Sequence, residues 1–211
     1  MKLIPKPVEQ GFRAVSRPIV EGLIRARVRP NTLTTIGTVL VLVSAIAYGI
    51  GLIRMGGFLL LLSGIVDTLD GEVARGNGMV TKFGAFYDST LDRVGDGATF
   101  MGIAVYLMLA PDVAWRLPAV VTCMVAIIAS LIVSYARARA EGLGIDCKVG
   151  IAQRAERVVG LGVVSVVVGA GPRALVLEVV VALLAAASII TVVQRFVYVY
   201  QITEGAKAPR G

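Results

Sequence analysis

The sequence predicts an all-α integral membrane protein in which six transmembrane helices follow an N-terminal amphipathic surface helix. The first observation is composition: 56% of the 211 residues are hydrophobic, 17% are charged, and the mean hydropathy is +0.82. A soluble domain of this length is much less apolar. The second is that several runs with few or no charges reach or approach the ~20 residues that cross a bilayer as a helix. The third is that the basic residues gather on one side of the resulting layout.

The first element, residues 5–29, has the pattern of a helix that lies on the membrane surface. Its apolar residues recur at helical spacing and share a face, while its arginines take another. The apolar set is Val8, Phe12, Val15, Ile19, Leu23 and Ile24, and the basic set is Arg13, Arg17 and Arg25. Pro30 and Asn31 then predict a break and a helix cap before the first crossing.

The transmembrane helices are predicted at residues 32–53, 56–75, 84–110, 115–139, 156–172 and 174–200. In this layout all but three of the 21 basic residues fall on one side, and Arg54, Arg116 and Arg173 fall on the other. Because cytoplasmic loops carry an excess of Lys and Arg, both termini are predicted to face the cytoplasm from the cell membrane. We expect a single domain over 1–211, with a juxtamembrane helix (1–30), a six-helix bundle (31–200) and a C-terminal tail (201–211).

The residue composition and the net charge limit the metal ligands, general bases and binding partners that the chain can use. Histidine is absent, so the commonest metal ligand and general base are missing, and such chemistry must use carboxylates. The net charge of +7 is better explained by anionic lipid and topology than by nucleic acid, because the basic residues flank the spans. Cys123 and Cys147 show no pairing signature and are predicted to be unpaired.

Carboxylates cluster in the segment DTLDGEVARGNGMVTKFGAFYDSTLDRVGDG, residues 67–97, where the second and third spans meet. Asp67 and Asp70 are three residues apart, and Asp88 and Asp92 are four apart, so each pair shares a helix face. Ionisable groups at membrane depth cost several kcal/mol unless they are paired, hydrated or bound to metal. Four carboxylates without histidine or thiolate favour Mg²⁺ or Mn²⁺.

A diphosphate substrate explains why a reaction would need such a site. Two divalent cations can bridge the acidic side chains and the phosphates, and can stabilise the attacking and leaving oxygens together. The small residues Gly71 and Ala74 would let a nucleotide approach the helix backbone, and Arg75 and Lys82 can neutralise phosphate oxygens.

This spacing resembles the signature of the CDP-alcohol phosphotransferases, which transfer a phosphoalcohol group from a CDP-linked lipid to an alcohol. The eight matching positions are Asp67, Asp70, Gly71, Ala74, Arg75, Gly84, Asp88 and Asp92. The resemblance implies that the four aspartates bind two cations and that Asp92 also takes the proton of the acceptor hydroxyl. It further implies that Gly71, Arg75 and Thr81 hold the nucleotide and its phosphates, with Asn31 and Thr34 contributed by the first span. A helix cap explains Asn31 equally well.

The family resemblance also suggests a homodimer. Gly160 and Gly162 are compatible with the close helix packing that such an interface uses.

A second basic segment predicts an anionic acceptor. Residues 134–158, SYARARAEGLGIDCKVGIAQRAERV, and Arg195 converge on the cytoplasmic side of the acidic site, although positive-inside topology explains some of these cations. SYxRARAE followed by QRAER resembles the bacterial phosphatidylinositol phosphate synthases, a branch of the family that joins CDP-diacylglycerol to inositol phosphate. By that resemblance Arg137, Arg154 and Arg195 hold the acceptor phosphate.

Alternatives remain at this point. Glu72 and Asp96 lie off the signature, and Asp96 can pair with Arg93 or another cation. The same chemistry can use glycerol 3-phosphate or serine as the acceptor. A cation transporter would also carry carboxylates in the membrane, but for it the spacing of Gly71, Ala74 and Arg75 would be coincidence.

Overall fold

The computed structural model describes residues 6–76 and 78–205, with side chains from residue 16 onward, and this part of the chain is helical without strands. The helices are α1 (Lys6–Arg25), α2 (Pro30–Gly49), α3 (Ile53–Gly76), α4 (Lys82–Leu109), α5 (Arg116–Gly142), α6 (Arg154–Val167) and α7 (Leu175–Thr203). A short 3-10 helix, Pro172–Ala174, precedes α7.

Within residues 6–76 and 78–205, three segments are long and apolar enough to cross a membrane. They are Pro30–Gly49, Arg116–Gly142 and Pro172–Thr203, with mean hydropathies of 1.7, 2.4 and 2.7. Helices α3 and α4 carry the aspartates and arginines of the acidic segment, and this lowers their apolar character. The chain is therefore a membrane protein with an all-helical fold.

Helix α6 is shorter than the predicted span. It has 14 residues and a length of about 21 Å, against roughly 30 Å of hydrocarbon. It ends at Val167 rather than at 172, because Gly169 and Gly171 have positive φ values of 75° and 71° and Pro172 follows. Such a backbone cannot continue a helix.

The start of α2 also differs from the prediction. The helix begins at Pro30, and the cap position is Arg29, which makes no side-chain cap hydrogen bond. Pro30 occupies the first helical position, where its missing N–H costs nothing. Asn31 therefore lies inside the first turn, and its interpretation as the cap is wrong.

Helix α1 packs on the bundle through its C-terminal half. Leu23 and Ile24 contact a cluster that includes the buried side chains of Leu69 and Val73 on α3. Ile19 is 53% exposed. The remaining members of the predicted apolar face, Val8, Phe12 and Val15, and also Arg13, have side chains outside the described residues.

Helices α3 and α4 each pack against α2, α6 packs on α3, and α5 packs on α4 and α7. Close approach of α2 and α4 depends on Gly102, since a Cβ there would overlap the backbone carbonyl of Ala45. Tyr48 on α2 is fully buried and donates a hydrogen bond to Ser165 Oγ on α6 at 2.9 Å. These contacts set the C-terminal half of α3 beside the N-terminal half of α4, which is where the aspartates lie.

Candidate active site

Three of the predicted metal ligands meet at one point. Asp67 and Asp70 on α3 and Asp88 on α4 each offer a carboxylate oxygen, and these oxygens all lie within 4.8 Å of one another. Ligand oxygens stand about 2.0 to 2.6 Å from a bound Mg²⁺ or Ca²⁺. Oxygens that share one ion are therefore separated by roughly 5 Å at most, so this group matches a single divalent cation.

The surroundings of the group also fit a cation. Asp70 is only 6% exposed and accepts a hydrogen bond of 2.6 Å from Thr34 Oγ1. Oδ1 of Asp88 is buried without a hydrogen-bond partner among the described residues. A buried carboxylate oxygen is costly unless it is satisfied, and a cation between the carboxylates would satisfy it.

Asp92 lies one turn further along α4, outside this three-carboxylate group. Its Oδ1 is 2.9 Å from Nη1 of Arg154, and its Oδ2 is 3.5 Å from Nη1 of Arg93. The same Nη1 of Arg154 donates to Oδ2 of Asp67 at 2.7 Å. Arg154, which is predicted to bind the acceptor phosphate, thus forms ion pairs with Asp67 and Asp92, which are predicted to bind metal.

A cavity of about 770 Å³ opens beside Asp67 and Asp92, and we call it the basic pocket. All three arginines predicted for the acceptor line it, although they come from three different helices. Its polar lining consists of Asp67, Asp92, Arg93, Arg137, Arg154, Arg157, Arg195, Thr68, Ser134 and Gln153. Such a concentration of guanidinium groups suits a phosphate.

The arginines of the basic pocket differ in what else they contact. Arg137 is half-exposed and its Nε donates to Glu141 at 2.8 Å. Arg195 is buried and donates to two backbone carbonyls, that of Val149 at 2.9 Å and that of Val133. Arg195 therefore supports the backbone around the pocket as well as lining it.

Arg157 was missed by the sequence analysis as a site residue. It is buried, lines the basic pocket and pairs with Asp96 on α4. Asp96 therefore pairs with a cation, as expected, but with Arg157 rather than Arg93. Arg157 follows Arg154 by three residues on α6, so helical spacing was the signal that would have found it. Glu72, also off the signature, accepts a hydrogen bond from Ser16 of α1.

The residues predicted for the nucleotide divide into three groups. Asn31 and Thr81 line an open cavity of about 600 Å³, and Thr81 also caps α4 by accepting a hydrogen bond from Gly84 N at 2.9 Å. Thr34 does not line this cavity; it is buried and donates a hydrogen bond to Asp70. Arg75 folds over Gly71, where an added Cβ would stand 3.2 Å from its Nη1. Ala74, on the same helix, is partly buried.

Comparison with known proteins shows the family to which the chain belongs. The CDP-alcohol phosphatidyltransferase family model matches residues 27–194. A phosphatidylinositol phosphate synthase of Cutibacterium acnes is 40% identical over 203 residues, covering 92% of this chain and 96% of that protein.

Two solved structures of the Mycobacterium tuberculosis phosphatidylinositol phosphate synthase have a similar fold. One, in complex with manganese and citrate, is 33% identical with a TM-score of 0.77 and covers 92% of each chain. The other, with CDP-DAG bound, is 32% identical with a TM-score of 0.78 and covers 94% of this chain and 98% of that chain. The chain described here therefore belongs to the CDP-alcohol phosphatidyltransferase family and is a membrane-embedded transferase.

Proposed function

We propose that this chain transfers the phosphatidyl group of CDP-diacylglycerol to inositol phosphate, giving phosphatidylinositol phosphate and CMP. The observation that carries the proposal is the basic pocket, where Arg137, Arg154 and Arg195 converge beside Asp92. An acceptor that bears a phosphate would use these cations, whereas free inositol, which carries no charge, would not. The names of the related synthases support the same acceptor.

The carboxylates are the proposed holders of Mg²⁺ or Mn²⁺. Asp67, Asp70 and Asp88 would hold one ion, with Asp92 contributing to a second, and Thr34 orients the carboxylate of Asp70. When bound, such ions neutralise diphosphate oxygens and raise the acidity of a nearby hydroxyl. The manganese in the related synthase structure supports this assignment.

Asp92 is the proposed general base because it lies on the boundary between the carboxylate group and the basic pocket. The acceptor hydroxyl oxygen attacks the phosphorus that bears the diacylglycerol, and its proton passes to the Asp92 carboxylate. As the new oxygen–phosphorus bond forms, the diphosphate bond breaks and its electron pair leaves with CMP.

The donor would bind on the opposite side of the aspartates from the acceptor. We assign the nucleotide and its phosphates to Asn31, Thr81 and the Gly71 surface of α3, where the small Ala74 leaves room. Arg75 already lies against Gly71 and would neutralise phosphate charge there. Thr34 would contribute indirectly, through Asp70.

A panel of acceptors tests the proposed function. Purified protein, CDP-diacylglycerol and Mg²⁺ are incubated with inositol phosphate, free inositol, glycerol 3-phosphate or serine, and CMP is measured. Inositol phosphate is expected to give the fastest release by a wide margin. Equal release with free inositol or serine would remove the phosphate role of the basic pocket and leave the aspartate chemistry in place.

Replacing Arg154 with Gln should raise the KM for inositol phosphate while sparing that for CDP-diacylglycerol. Arg154 is the guanidinium closest to Asp92, and a charge-assisted hydrogen bond to phosphate contributes about 1.5 to 3 kcal/mol. The expected rise is therefore roughly ten- to a hundredfold. Initial rates at varied concentrations of each substrate measure it.

Two variants control this measurement. Arg139→Gln removes an exposed arginine at the C-terminal end of α5 that does not line the basic pocket, and it should leave both KM values unchanged. Arg75→Gln should give the reverse pattern, with weaker use of CDP-diacylglycerol. An Arg154→Gln enzyme with an unchanged KM for inositol phosphate would contradict the acceptor assignment.

The proposed topology has α2 to α7 crossing the cell membrane, α1 on its surface and both termini in the cytoplasm. In domain terms, residues 1–30 form the juxtamembrane helix, 31–200 the bundle and 201–211 the tail. The support is the distribution of basic residues, since only Arg54, Arg116 and Arg173 fall on the far side. Helix α6 would cross together with the residues that follow it.

Single cysteines at positions 2 and 210 should resist a membrane-impermeant thiol reagent in intact cells and react after permeabilisation. Both native cysteines are buried, so the introduced thiol would give the signal. Arg173→Cys is the matched control, because its side chain is 62% exposed and should react from outside. Labelling of either terminus in intact cells would contradict the layout.

We also propose a homodimer, on the family resemblance alone. Gly162 lends no support to it, because this residue packs α6 on α3 within the chain: a Cβ there would stand 2.6 Å from Leu61 Cγ. The mass of the detergent-solubilised protein would measure the oligomeric state.

A further inference from the structure

We propose that Thr191 on α7 is a positioning residue for the basic pocket. Its hydroxyl holds residues 149–152, the segment just before α6, and this segment places Arg154 beside Asp92. The expected change in the KM for inositol phosphate rests on the proposed function. The contact between Thr191 and residues 149–152 rests on geometry alone.

The Thr191 hydroxyl uses its complete hydrogen-bonding capacity. Its Oγ1 accepts from the backbone N–H of Ile151 at 3.2 Å and of Ala152 at 2.9 Å, and it donates to the carbonyl of Ala187 at 2.9 Å. A hydroxyl has one proton and two lone pairs, so all three bonds can form together. Thr191 is fully buried, which means that water cannot replace these bonds if the hydroxyl is removed.

The methyl group of Thr191 fixes the same segment sterically. Gly150 has a φ of +133°, and a Cβ at this position would overlap Cγ2 of Thr191. Only glycine combines that backbone angle with such close approach. The hydroxyl and the methyl group therefore define together where the segment runs along α7.

Neighbouring contacts extend this attachment to the pocket. The carbonyl of Val149 accepts from Nε of Arg195, and that of Ala152 accepts from Nη1 of Arg157 at 3.2 Å. Helix α6 begins two residues after Ala152, and its cap residue Gln153 makes no side-chain cap hydrogen bond. The start of α6, and with it Arg154, is thus located by the contacts of residues 149–152.

Thr191→Val should raise the KM for inositol phosphate by roughly tenfold, because displacements of about 1 Å in a site can cost up to a hundredfold. The KM for CDP-diacylglycerol should stay within about threefold of wild type, since Thr191 touches nothing on the donor side. Hydrogen exchange at the amides of Ile151 and Ala152 should accelerate in the same variant. Steady-state kinetics and exchange mass spectrometry measure the two effects.

Three further variants separate positioning from general packing. Thr191→Ser keeps the hydroxyl and should restore both the acceptor KM and the amide protection. Ser188→Ala removes a buried hydroxyl of α7 that donates only to Leu184 within the helix, and should change neither. Gly150→Ala pushes the segment off Thr191 and should reproduce the raised acceptor KM, so the test survives if the Thr191→Val protein does not fold.

The proposal is overturned if Thr191→Val lowers kcat without raising the acceptor KM, or if Thr191→Ser behaves like the valine variant. It is also overturned if the amides of Ile151 and Ala152 stay protected without the hydroxyl. A wild-type enzyme that released no CMP with inositol phosphate would refute the proposed function instead. The exchange measurement would then still decide whether Thr191 holds the segment.

Discussion

Replacing Asp92 with Asn is expected to reduce kcat by roughly a hundredfold or more, the loss usual for an essential acid-base group. The amide keeps the shape of the side chain but can neither accept a proton nor carry negative charge. Its carboxylate lies between the three-carboxylate group and the basic pocket, so the acceptor hydroxyl would meet it. Binding of CDP-diacylglycerol should be largely intact, because the three-carboxylate group and the proposed nucleotide contacts keep their side chains. CMP release and equilibrium binding of the labelled lipid measure the two quantities.

Asp112→Asn is the control for this variant. Asp112 is exposed, pairs with Arg173 and follows the C-terminal end of α4, whereas Asp92 lies in the N-terminal half of that helix, so its loss should leave kcat unchanged. Turnover of the Asp92→Asn enzyme within about threefold of wild type would show that Asp92 is not the general base.

Replacing Asp88 with Asn is expected to weaken Mn²⁺ binding by at least roughly a hundredfold, since changes to residues that merely support metal ligands already cost ten- to a hundredfold. Oδ1 of Asp88 is buried without a hydrogen-bond partner among the described residues and faces Asp67 and Asp70. The amide would present less charge at that position. Electron paramagnetic resonance of Mn²⁺ titrated into the purified protein measures the affinity without requiring activity.

Glu72→Gln is the matched control for the Asp88 variant, because Glu72 is a carboxylate of the same acidic segment that contacts Ser16 instead of the cluster. Its Mn²⁺ affinity should equal that of the wild type. If the Asp88→Asn protein bound Mn²⁺ as tightly as the wild type, the cluster of Asp67, Asp70 and Asp88 would not be the metal site.

The helices could be predicted from the sequence because apolar runs and the membrane thickness constrain them strongly. The ends of the helices differ from the prediction where single residues fix the backbone conformation. Gly169 and Gly171 stop α6 early, and Pro30 starts α2 before Asn31. These are effects of single residues on φ, which a hydropathy pattern does not register.

The site could be predicted in part, because the spacing of the aspartates along one helix determines which of them share a face of that helix. Asp67 and Asp70, three residues apart on α3, do offer their oxygens to one point, and Asp88 of α4 joins them there while Asp92 lies outside the group. Contacts between distant helices were not predictable in the same way. The bridge from Arg154 to Asp67 and Asp92 depends on how α6 packs against α3 and α4.

Thr191 and Arg157 show the same limit. Nothing in the local sequence around Thr191 indicates that its hydroxyl holds backbone N–H groups some forty residues earlier in the chain. The sequence places Arg157 within the basic segment 134–158, and only its ion pair with Asp96 of α4 shows that it is buried there.

The most direct test of the proposed reaction is to follow labelled acceptor in a single incubation. Purified protein is incubated with CDP-diacylglycerol, Mg²⁺ and inositol phosphate that carries one isotope in the ring and another in its phosphate, and CMP and both organic-phase labels are quantified together. The proposed reaction gives one labelled lipid for each CMP released, with the acceptor phosphate retained on the lipid and both products lost when the cation is chelated. Release of CMP without label in the lipid, or product formation that survives chelation, would contradict it.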